Sequence, residues 1–344
     1  MNKTFSFFVQ RYFSAYLIGQ HNYGTNTIES YCDTFRLLLT YIETNCKKKK
    51  NLMLQDISKQ LIIDFLNWLV SDRGNSSSTR NVRLAHLKSF FHFVKIEDPS
   101  LYNHCEQIIN IPFTKVEKKP PEYMDEDSVS HMLHSVNSES KEGLRHLAIL
   151  SLMYDSGCRV QELINLKVCD IQFEKGQRIY VHGKGDKYRA IPITPETESI
   201  LKKYISVFGI NADNLLFTNK QGQALTRQGI GYILKKYAVK SKIENPSDFD
   251  GNVHPHILRH SKATHLVNAG VNIYNVRDFL GHSSIATTQV YLTSNPEVTR
   301  KAIEKVASQT VSDSTNYYSE EEKQSLMEVA PCSYCITAGG YVKE

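Results

Sequence analysis

The chain has 344 residues, of which 41% are hydrophobic, and its 41 basic and 36 acidic side chains give a formal net charge of +5. This composition is that of an ordinary globular protein, and the length suffices for two domains with separate cores. Polar side chains interrupt the longest apolar runs, and the N-terminus lacks the apolar core of a secretory signal, so neither a membrane span nor a leader is expected.

Cysteines and charge indicate a compartment and a class of partner. The seven cysteines are odd in number and scattered, which argues against a disulfide framework and favours a cytoplasmic protein. Residues 312–344 carry six acidic and two basic side chains, which leaves a net +9 on the rest. A basic body is expected of a protein that binds nucleic acid, although a mildly basic charge is weak evidence by itself.

The first 113 residues show the apolar periodicity of a helical bundle. Four helices are predicted, over about 3–20, 25–42, 55–71 and 77–95. The fourth helix has an apolar face and, opposite to it, a basic face that bears Arg80, Arg83 and Lys88. Such a face suits a helix that lies against a DNA duplex, but a surface helix of a bundle would look the same.

A change in character follows the bundle. Pro120 and Pro121 favour an extended backbone, so residues 114–124 are predicted to link a helical domain at 1–113 to a second domain at 125–308.

Residues 309–344 are polar and acidic and are predicted to form a flexible tail. Cys332 and Cys335 would supply only half of a zinc site, and we expect no metal there.

Helices resume in the second domain. Asp125 is a predicted helix cap, and Ser156 with Gly157 ends a later apolar helix, so that a new one begins with Arg159 in its first turn. Arginine opposes the helix dipole at that position, so its presence suggests a function such as phosphate binding. Glu162 would orient the guanidinium, although a surface ion pair between these two residues would explain the same spacing.

Residues 170–194 alternate apolar and polar side chains and predict a small antiparallel β-sheet. Its last turn exposes Lys184 between two glycines, with Lys187 beyond it. A lysine at a hairpin tip can donate a proton to a leaving oxygen, although an exposed lysine with no such role is equally consistent. A helix over about 226–240 follows, with a basic face that bears Arg227 and Lys235.

The next stretch carries the side chains best suited to phosphate chemistry. Pro255 favours a helix start, after which His256 and Arg259 share one face. His260 lies one turn after His256 and is predicted to be a hydrogen-bonded core histidine.

Gly270 is predicted to end this helix, and a second helix is predicted over 273–280, closed by Gly281. His282 follows in the turn, and a third helix, capped by a serine at 283 or 284, is predicted to carry Tyr291. A phenol attacks a phosphodiester only where cations stabilise the charge that grows on the non-bridging oxygens. Each residue alone has a commonplace explanation, since the chain has 19 tyrosines, but the joint pattern is much more specific.

This joint pattern of residues resembles the tyrosine recombinase (phage integrase) family, and most of all an Xer-like recombinase or integrase. The matching residues, each in its local string, are Arg159, Lys184, His256, Arg259, His282 and Tyr291. The His-Ile-Leu-Arg-His and Leu-Gly-His strings are specific, whereas Gly-Lys-Gly is weak alone. The resemblance covers about residues 3–308 and is less distinctive in the first 113.

The resemblance implies a mainly α-helical fold with a small antiparallel β-sheet, in which a four-helix core-binding domain and a catalytic domain clamp duplex DNA. It implies that Tyr291 forms a 3′-phosphotyrosyl link while Lys184 protonates the leaving oxygen. The other four matching residues would hold the phosphate, and His256 is also a candidate to deprotonate the phenol. No metal or nucleotide cofactor is implied.

The family acts as a tetramer, so the resemblance implies a homotetramer, or a heterotetramer with a paralogous recombinase, in which a helix over 297–308 docks on the neighbour. An arm-binding domain of the lambda integrase type is not expected, which favours a simpler recombinase. Two alternatives stay open: a type IB topoisomerase-like enzyme and a non-catalytic DNA-binding protein. The target site, and the choice among integration, transposition, inversion and dimer resolution, are not determined by the sequence.

Overall fold

A computed structural model describes residues 4–21, 23–46, 52–116, 121–174, 176–183, 187–292 and 300, and of Lys187 only the backbone. The chain divides into two compact units, Met1–Lys118 and Lys119–Glu344, called the first and second unit below. This division falls within the segment predicted as a linker, while the domain bounds themselves stay a prediction. Three predicted features lie outside the described residues: Lys184, the helix at 297–308 except residue 300, and the tail with Cys332 and Cys335.

The described part of the first unit is helical. Its helices are α1 (Phe5–Arg11), which continues as a π-helix (Tyr12–Gln20), α2 (Thr25–Asn45), α3 (Lys59–Ser71), α4 (Ser77–Glu97) and α5 (Tyr102–Ile109), with 3-10 turns at Leu54–Asp56 and Pro99–Leu101. Side-chain oxygens of Thr4, Ser58 and Ser76 cap α1, α3 and α4 by accepting backbone N–H groups. The four predicted helices are therefore present, and α5, which we did not predict, packs on α4.

The second unit is mainly helical around a small sheet. Its elements are α6 (Glu126–His134), α7 (Lys141–Ser156), α8 (Val160–Asn165), a 3-10 turn (Val168–Asp170), β1 (Ile171–Gln172), β2 (Arg178–Gly183), β3 (Lys187–Pro192), α9 (Pro195–Phe208), α10 (Arg227–Glu244), α11 (Pro255–Asn268), α12 (Ile273–Leu280) and α13 (Ala286–Gln289). The predicted fold class, mainly α with a small antiparallel sheet, is confirmed. The helix α9 is a further element that we did not predict.

The sheet has the order β1–β2–β3, and both pairings are antiparallel. Along β2 the side chains of Ile179 and Val181 are buried while Tyr180 between them is exposed, so one face of the sheet covers the core. Val181 pairs directly with Arg189 of β3. Directly paired residues point to the same face of a sheet, so Arg189 is on the inner side.

Two apolar clusters organise the second unit. The larger cluster contains residues from all five helices α6, α7, α8, α9 and α10, from the first turn of α11 and from the inner face of the sheet. The smaller holds α11, α12 and the segment after α13 together through Ala263, Val267, Val276, Leu280 and Tyr291. Among the described residues, no helix combines the length and apolarity needed to span a membrane.

Candidate active site

Arg159 lies just before α8 and not in its first turn, where it was predicted. It is the N-cap residue, with extended backbone angles, and the first helical residue is Val160. Its backbone N–H donates to Oε2 of Glu162 at 2.7 Å, and its Nη1 donates to Oε1 of the same carboxylate at 2.9 Å. Glu162 therefore caps the helix and orients the guanidinium, as the spacing predicted.

Glu162 also holds a second arginine. Nη1 and Nη2 of Arg189 donate to its two carboxylate oxygens at 3.0 and 2.8 Å, the bidentate geometry that arginine favours. Burial alone would raise the pKa of Glu162, but the hydrogen bonds from Arg189 and Arg159 outweigh it and keep the pKa below its usual value. The carboxylate is therefore charged and fixes two guanidinium groups.

The C-terminal end of α12 accepts hydrogen bonds from arginines on three different elements. Phe279 O accepts from Nε of Arg189, Leu280 O from Nη2 of Arg259 and Gly281 O from Nη2 of Arg159, at 3.2, 2.6 and 2.9 Å. The last carbonyls of a helix have no partner within the helix and carry the negative end of its dipole. This helix end, which we call the carbonyl end of α12, therefore gathers β3, α11 and the start of α8.

Gly281 is required at the carbonyl end of α12. Its φ is +66°, in the left-handed region that glycine tolerates best. A Cβ atom at this position would lie 2.7 Å from Nη1 of Arg189. Any other residue would therefore strain the backbone and displace the guanidinium.

Arg259 is the most buried of the three arginines, with 4% of its surface exposed. Its Nη1 donates to Gly157 O at 2.6 Å, where α7 ends in a left-handed glycine. Burial and the charges of Arg159 and Arg189 lower the pKa of Arg259 to about 10, so it remains protonated at neutral pH. Carbonyl oxygens carry only partial charge and do not neutralise the guanidinium, which leaves the site suited to an anion.

His282 follows the carbonyl end of α12 directly. Its Nδ1 lies 2.9 Å from Oγ1 of Thr288, a buried residue of α13, so the ring is held between two elements. Burial and the charge of Arg259 lower the pKa of His282 to about 4. The imidazole is therefore neutral at neutral pH and can present an N–H to a phosphate oxygen.

His256 and Arg227 lie at the more open side of the site. His256 is exposed on the first turn of α11, and partial desolvation together with the charge of Arg259 lowers its pKa. Arg227, at the start of α10, donates from Nε to Oε1 of Gln161 at 3.1 Å and adds positive charge near His256. Lys235 lies further along α10, exposed beside a hollow that Phe249 also lines.

Tyr291 is not on a helix, contrary to the prediction. α13 is only four residues long and ends at Gln289, and Tyr291 lies in the turn that follows, its N–H bonded to Thr288 O. Ser284 does accept the N–H of Ala286, but at 3.3 Å, and the helix it helps to start is too short to include the tyrosine. The side chain is 2% exposed, and this burial raises its pKa.

His260 contacts the candidate nucleophile. Its Nδ1 lies 2.7 Å from the hydroxyl oxygen of Tyr291. His260 is therefore hydrogen-bonded, as predicted. Its partner is Tyr291, however, so His260 is part of the candidate site, a role that the sequence did not reveal. Burial and the neighbouring His256 and His254 lower the pKa of His260 to about 4, so the ring is neutral at neutral pH.

The basic residues of α4 take part in the packing of the first unit. Nη1 of Arg83 donates to Ser30 O at 2.9 Å and to Oγ1 of Thr34 at 3.0 Å, which ties α4 to α2. Nζ of Lys88 lies 4.3 Å from the centre of the Phe113 ring. Nη1 of Arg80 donates to Asn81 at 3.4 Å.

The comparison with known families assigns both units. The model of the phage integrase family matches residues 122–297, and that of the phage integrase N-terminal SAM-like domain matches residues 9–98. The first match alone covers half of the chain, and the chain belongs to the phage integrase family, the tyrosine recombinases. Its function is site-specific DNA recombination, and the two alternative readings, topoisomerase and non-catalytic binder, are not favoured.

Individual relatives agree with this assignment. The chain is 33% identical to tyrosine recombinase XerD of Listeria innocua, over 81% of this chain and 91% of that protein, and 34% identical to XerD of Oceanobacillus iheyensis, over 77% and 86%. Among solved structures, XerH bound to palindromic difH substrate has a TM-score of 0.65 at 25% identity, covering 83% of this chain and 80% of that one. The Tn1549 transposon integrase in complex with transposon right end DNA has a TM-score of 0.66 at 18% identity, covering 87% and 99%.

Proposed function

We propose that Tyr291 is the nucleophile, which attacks a phosphodiester to give a 3′-phosphotyrosyl link and a free 5′-hydroxyl. The observation that carries this proposal is the convergence of Arg159 and Arg259 on the carbonyl end of α12, directly before His282. Tyr291 packs in one cluster with Leu280, at the same helix end. The charge of Arg259 also acts on the phenol of Tyr291, which supports their assignment to one site.

The proposed phosphate ligands are Arg159, Arg259, His282 and His256, which would donate hydrogen bonds to the non-bridging oxygens. Negative charge grows on these oxygens in the transition state, so fixed donors accelerate the reaction without reorganising. Glu162 holds Arg159 on one side and Arg189 on the other, which supports this role. Lys184 stays the sequence-based candidate for protonating the leaving 5′ oxygen.

We propose that this chemistry needs no metal and no nucleotide. The arginines supply the positive charge that a metal ion would otherwise supply, and the phosphotyrosyl link conserves the energy of the broken bond for rejoining.

The proposed partner is double-stranded DNA, contacted along its backbone by Arg80, Arg83, Lys88, Lys187, Arg227 and Lys235. The proposed assembly is a homotetramer, or a heterotetramer with a paralogous recombinase, acting in the cytoplasm. Mobile-element integration and the resolution of chromosome dimers are both consistent with this assembly.

The replacement Tyr291→Phe tests the nucleophile. On a nicked duplex that traps the covalent intermediate, the variant is expected to form no adduct, because the attacking oxygen is gone, while its affinity for DNA changes little. Denaturing gels and a mobility-shift assay measure the two properties. An adduct that persists in the variant would assign the link to another residue.

A second experiment separates recombination from DNA relaxation. The protein is incubated with a supercoiled plasmid that carries two matched sites, and with one that carries none. Recombinant products that require both sites are expected. Relaxation of the plasmid without sites, at a comparable rate and with no recombinant product, would favour the topoisomerase-like activity instead.

A further inference from the structure

The hydroxyl of Tyr291 has a base within hydrogen-bonding distance. A general base must lie about 2.6–3.2 Å from the atom whose proton it takes. Nδ1 of His260 is 2.7 Å from the Tyr291 oxygen. The phenol is 2% exposed, and in the neutral tautomer that carries its hydrogen on Nε2 the His260 ring accepts the phenol hydrogen at Nδ1.

His256 is less well placed for this task. It lies one turn earlier on α11, and its ring centre is 6.4 Å from that of His260. The ring of His260 is itself 5.8 Å from the Tyr291 ring and lies on the side of the hydroxyl. His256 is exposed, which suits contact with a bound phosphate better than contact with the buried phenol.

We propose that His260 is the catalytic base of strand cleavage, an inference that rests on Tyr291 being the nucleophile. As the phenol oxygen bonds to phosphorus, its O–H bond breaks and the proton passes to Nδ1 of His260, which becomes an imidazolium. The electron pair of the bond between phosphorus and the 5′ oxygen leaves with that oxygen, which is protonated by a separate acid. In rejoining, the 5′-hydroxyl gives its proton back to that separate group as its oxygen attacks the phosphotyrosine, and His260 returns its proton to the departing phenolate.

The surroundings of His260 make its basicity depend on the substrate. The titratable and charged groups that act on it are His254, His256, Arg259, His282 and Tyr291. In the free protein, burial together with His256, His254 and Arg259 lowers the pKa of His260 and so disfavours the imidazolium. A phosphodiester anion held by Arg159 and Arg259 would offset their positive charge and raise the pKa of His260. The base is therefore strengthened only when a scissile phosphate is in place.

The replacement His260→Asn separates basicity from hydrogen bonding. The asparagine amide can reach approximately the position of Nδ1 and accept the phenol hydrogen, but it does not take up a proton near neutral pH. The rate constant for covalent capture on a nicked duplex is measured from pH 6.5 to 9.5 at saturating DNA. At pH 7 the variant is expected to be slower by about 10²–10⁴-fold, the usual contribution of general base catalysis.

The pH dependence is the decisive readout. Without a base, the reaction draws on the small ionised fraction of the phenol, so the variant's rate should rise about tenfold per pH unit. The wild-type rate should change little over the upper part of this range, because His260 is already neutral. A variant with wild-type rates at every pH would reduce His260 to a positioning residue, and a folded variant that is slow at pH 7 and gains no rate as the pH rises would also contradict the proposal.

Matched variants at other histidines test whether the loss of rate is specific to His260. His256→Asn should keep a wild-type pH profile, and a slope that appears in this variant instead would transfer the role to His256. His134→Gln, an exposed histidine on α6 bonded to Ser130 within its own helix, is the neutral control. If Tyr291→Phe still forms the adduct, the proposed nucleophile fails, whereas a failure confined to His260 leaves it intact.

Folding is checked by thermal unfolding, and DNA binding by mobility shift, for each variant. Should His260→Asn prove unfolded, His260→Gln is measured over the same pH range, since it too lacks a basic nitrogen. A tenfold rise per pH unit in either folded variant supports the base, and a flat profile in both overturns it.

Discussion

The two units use their basic side chains in different ways. On α4 of the first unit, Arg83 bonds to α2 and Lys88 lies over Phe113, so each cation has its own separate partner. In the second unit, Arg159, Arg189 and Arg259 come from three elements and end on consecutive carbonyls of one helix. The first arrangement distributes charge over a surface, and the second concentrates it at a point.

This difference predicts different consequences of substitution. A distributed basic surface contributes to binding in small, nearly independent and salt-dependent steps. A concentrated group acts as a unit, because each arginine depends on the same carboxylate and helix end as the others. Loss of one member should therefore affect the chemical step strongly and binding weakly.

The largest effect in this comparison is expected from Arg259→Lys. A lysine cannot bridge Gly157 and Leu280 while presenting a further planar N–H to a phosphate, so a donor for the developing charge is lost. Cleavage should slow by about 10²–10³-fold with DNA affinity nearly unchanged. Single-turnover capture measures the rate, and Arg277→Lys is the control, since this half-buried arginine of α12 pairs with its neighbour Asp278. A near-normal rate would remove Arg259 from the site.

Glu162→Gln should reduce stability in a pH-dependent way. The folded-state pKa of Glu162 lies below the unfolded value, so its stabilisation is complete above about pH 4.3 and is lost as the pH falls through the folded pKa. Removing one partner of a buried pair costs at most about 3–5 kcal/mol, and less here because the Arg159 side chain is 36% exposed.

Thermal unfolding of this variant and the wild type at pH 7 and at pH 3.5 measures the effect. The difference between them should be large at pH 7 and smaller at pH 3.5. Glu142→Gln is the matched control, since that carboxylate is exposed and should matter little at either pH. Equal differences at both pH values would mean that the charge of Glu162 does not stabilise the fold.

The smallest effect is expected from Lys88→Ala. If α4 lies along the DNA backbone, loss of one charge should weaken binding a few-fold and reduce the slope of log affinity against log salt by about 1. Cleavage at saturating DNA should not change. Mobility shifts at several salt concentrations measure the slope, with Lys59→Ala, exposed at the start of α3, as the control for charge alone. An unchanged slope would leave Lys88 with a packing role only.

Much of the fold was predictable because its signals are local. Pro255 and Gly281 gave the start of α11 and the end of α12 correctly, and periodicity gave the helices of the first unit. We overlooked α9, although Pro195 at its first position is a common signal of a helix start. α5 has only eight residues, too few for a clear period.

The hydrogen-bonding partners within the site were predictable only where they are close in sequence. Glu162 and Arg159 are three residues apart, so their pairing followed from helix geometry. Arg189 and His260 make their decisive contacts with Glu162 and Tyr291, 27 and 31 positions away. Such contacts depend on how elements pack, and no local pattern specifies them.

The carbonyl end of α12 has a consequence for how this enzyme can be dissected. Its oxygens belong to the main chain, so exchanging the side chain of Phe279 or Leu280 leaves them in place. An alanine scan would thus detect the contribution of the arginines but not that of the main-chain acceptors that hold them. Replacing the Leu280–Gly281 amide by an ester weakens the carbonyl oxygen as an acceptor and also removes the Gly281 N–H that donates to Asp278 O. Compared with an ester at Gly281–His282, which weakens the acceptor of Arg159, it would expose a contribution that genetics alone does not reach.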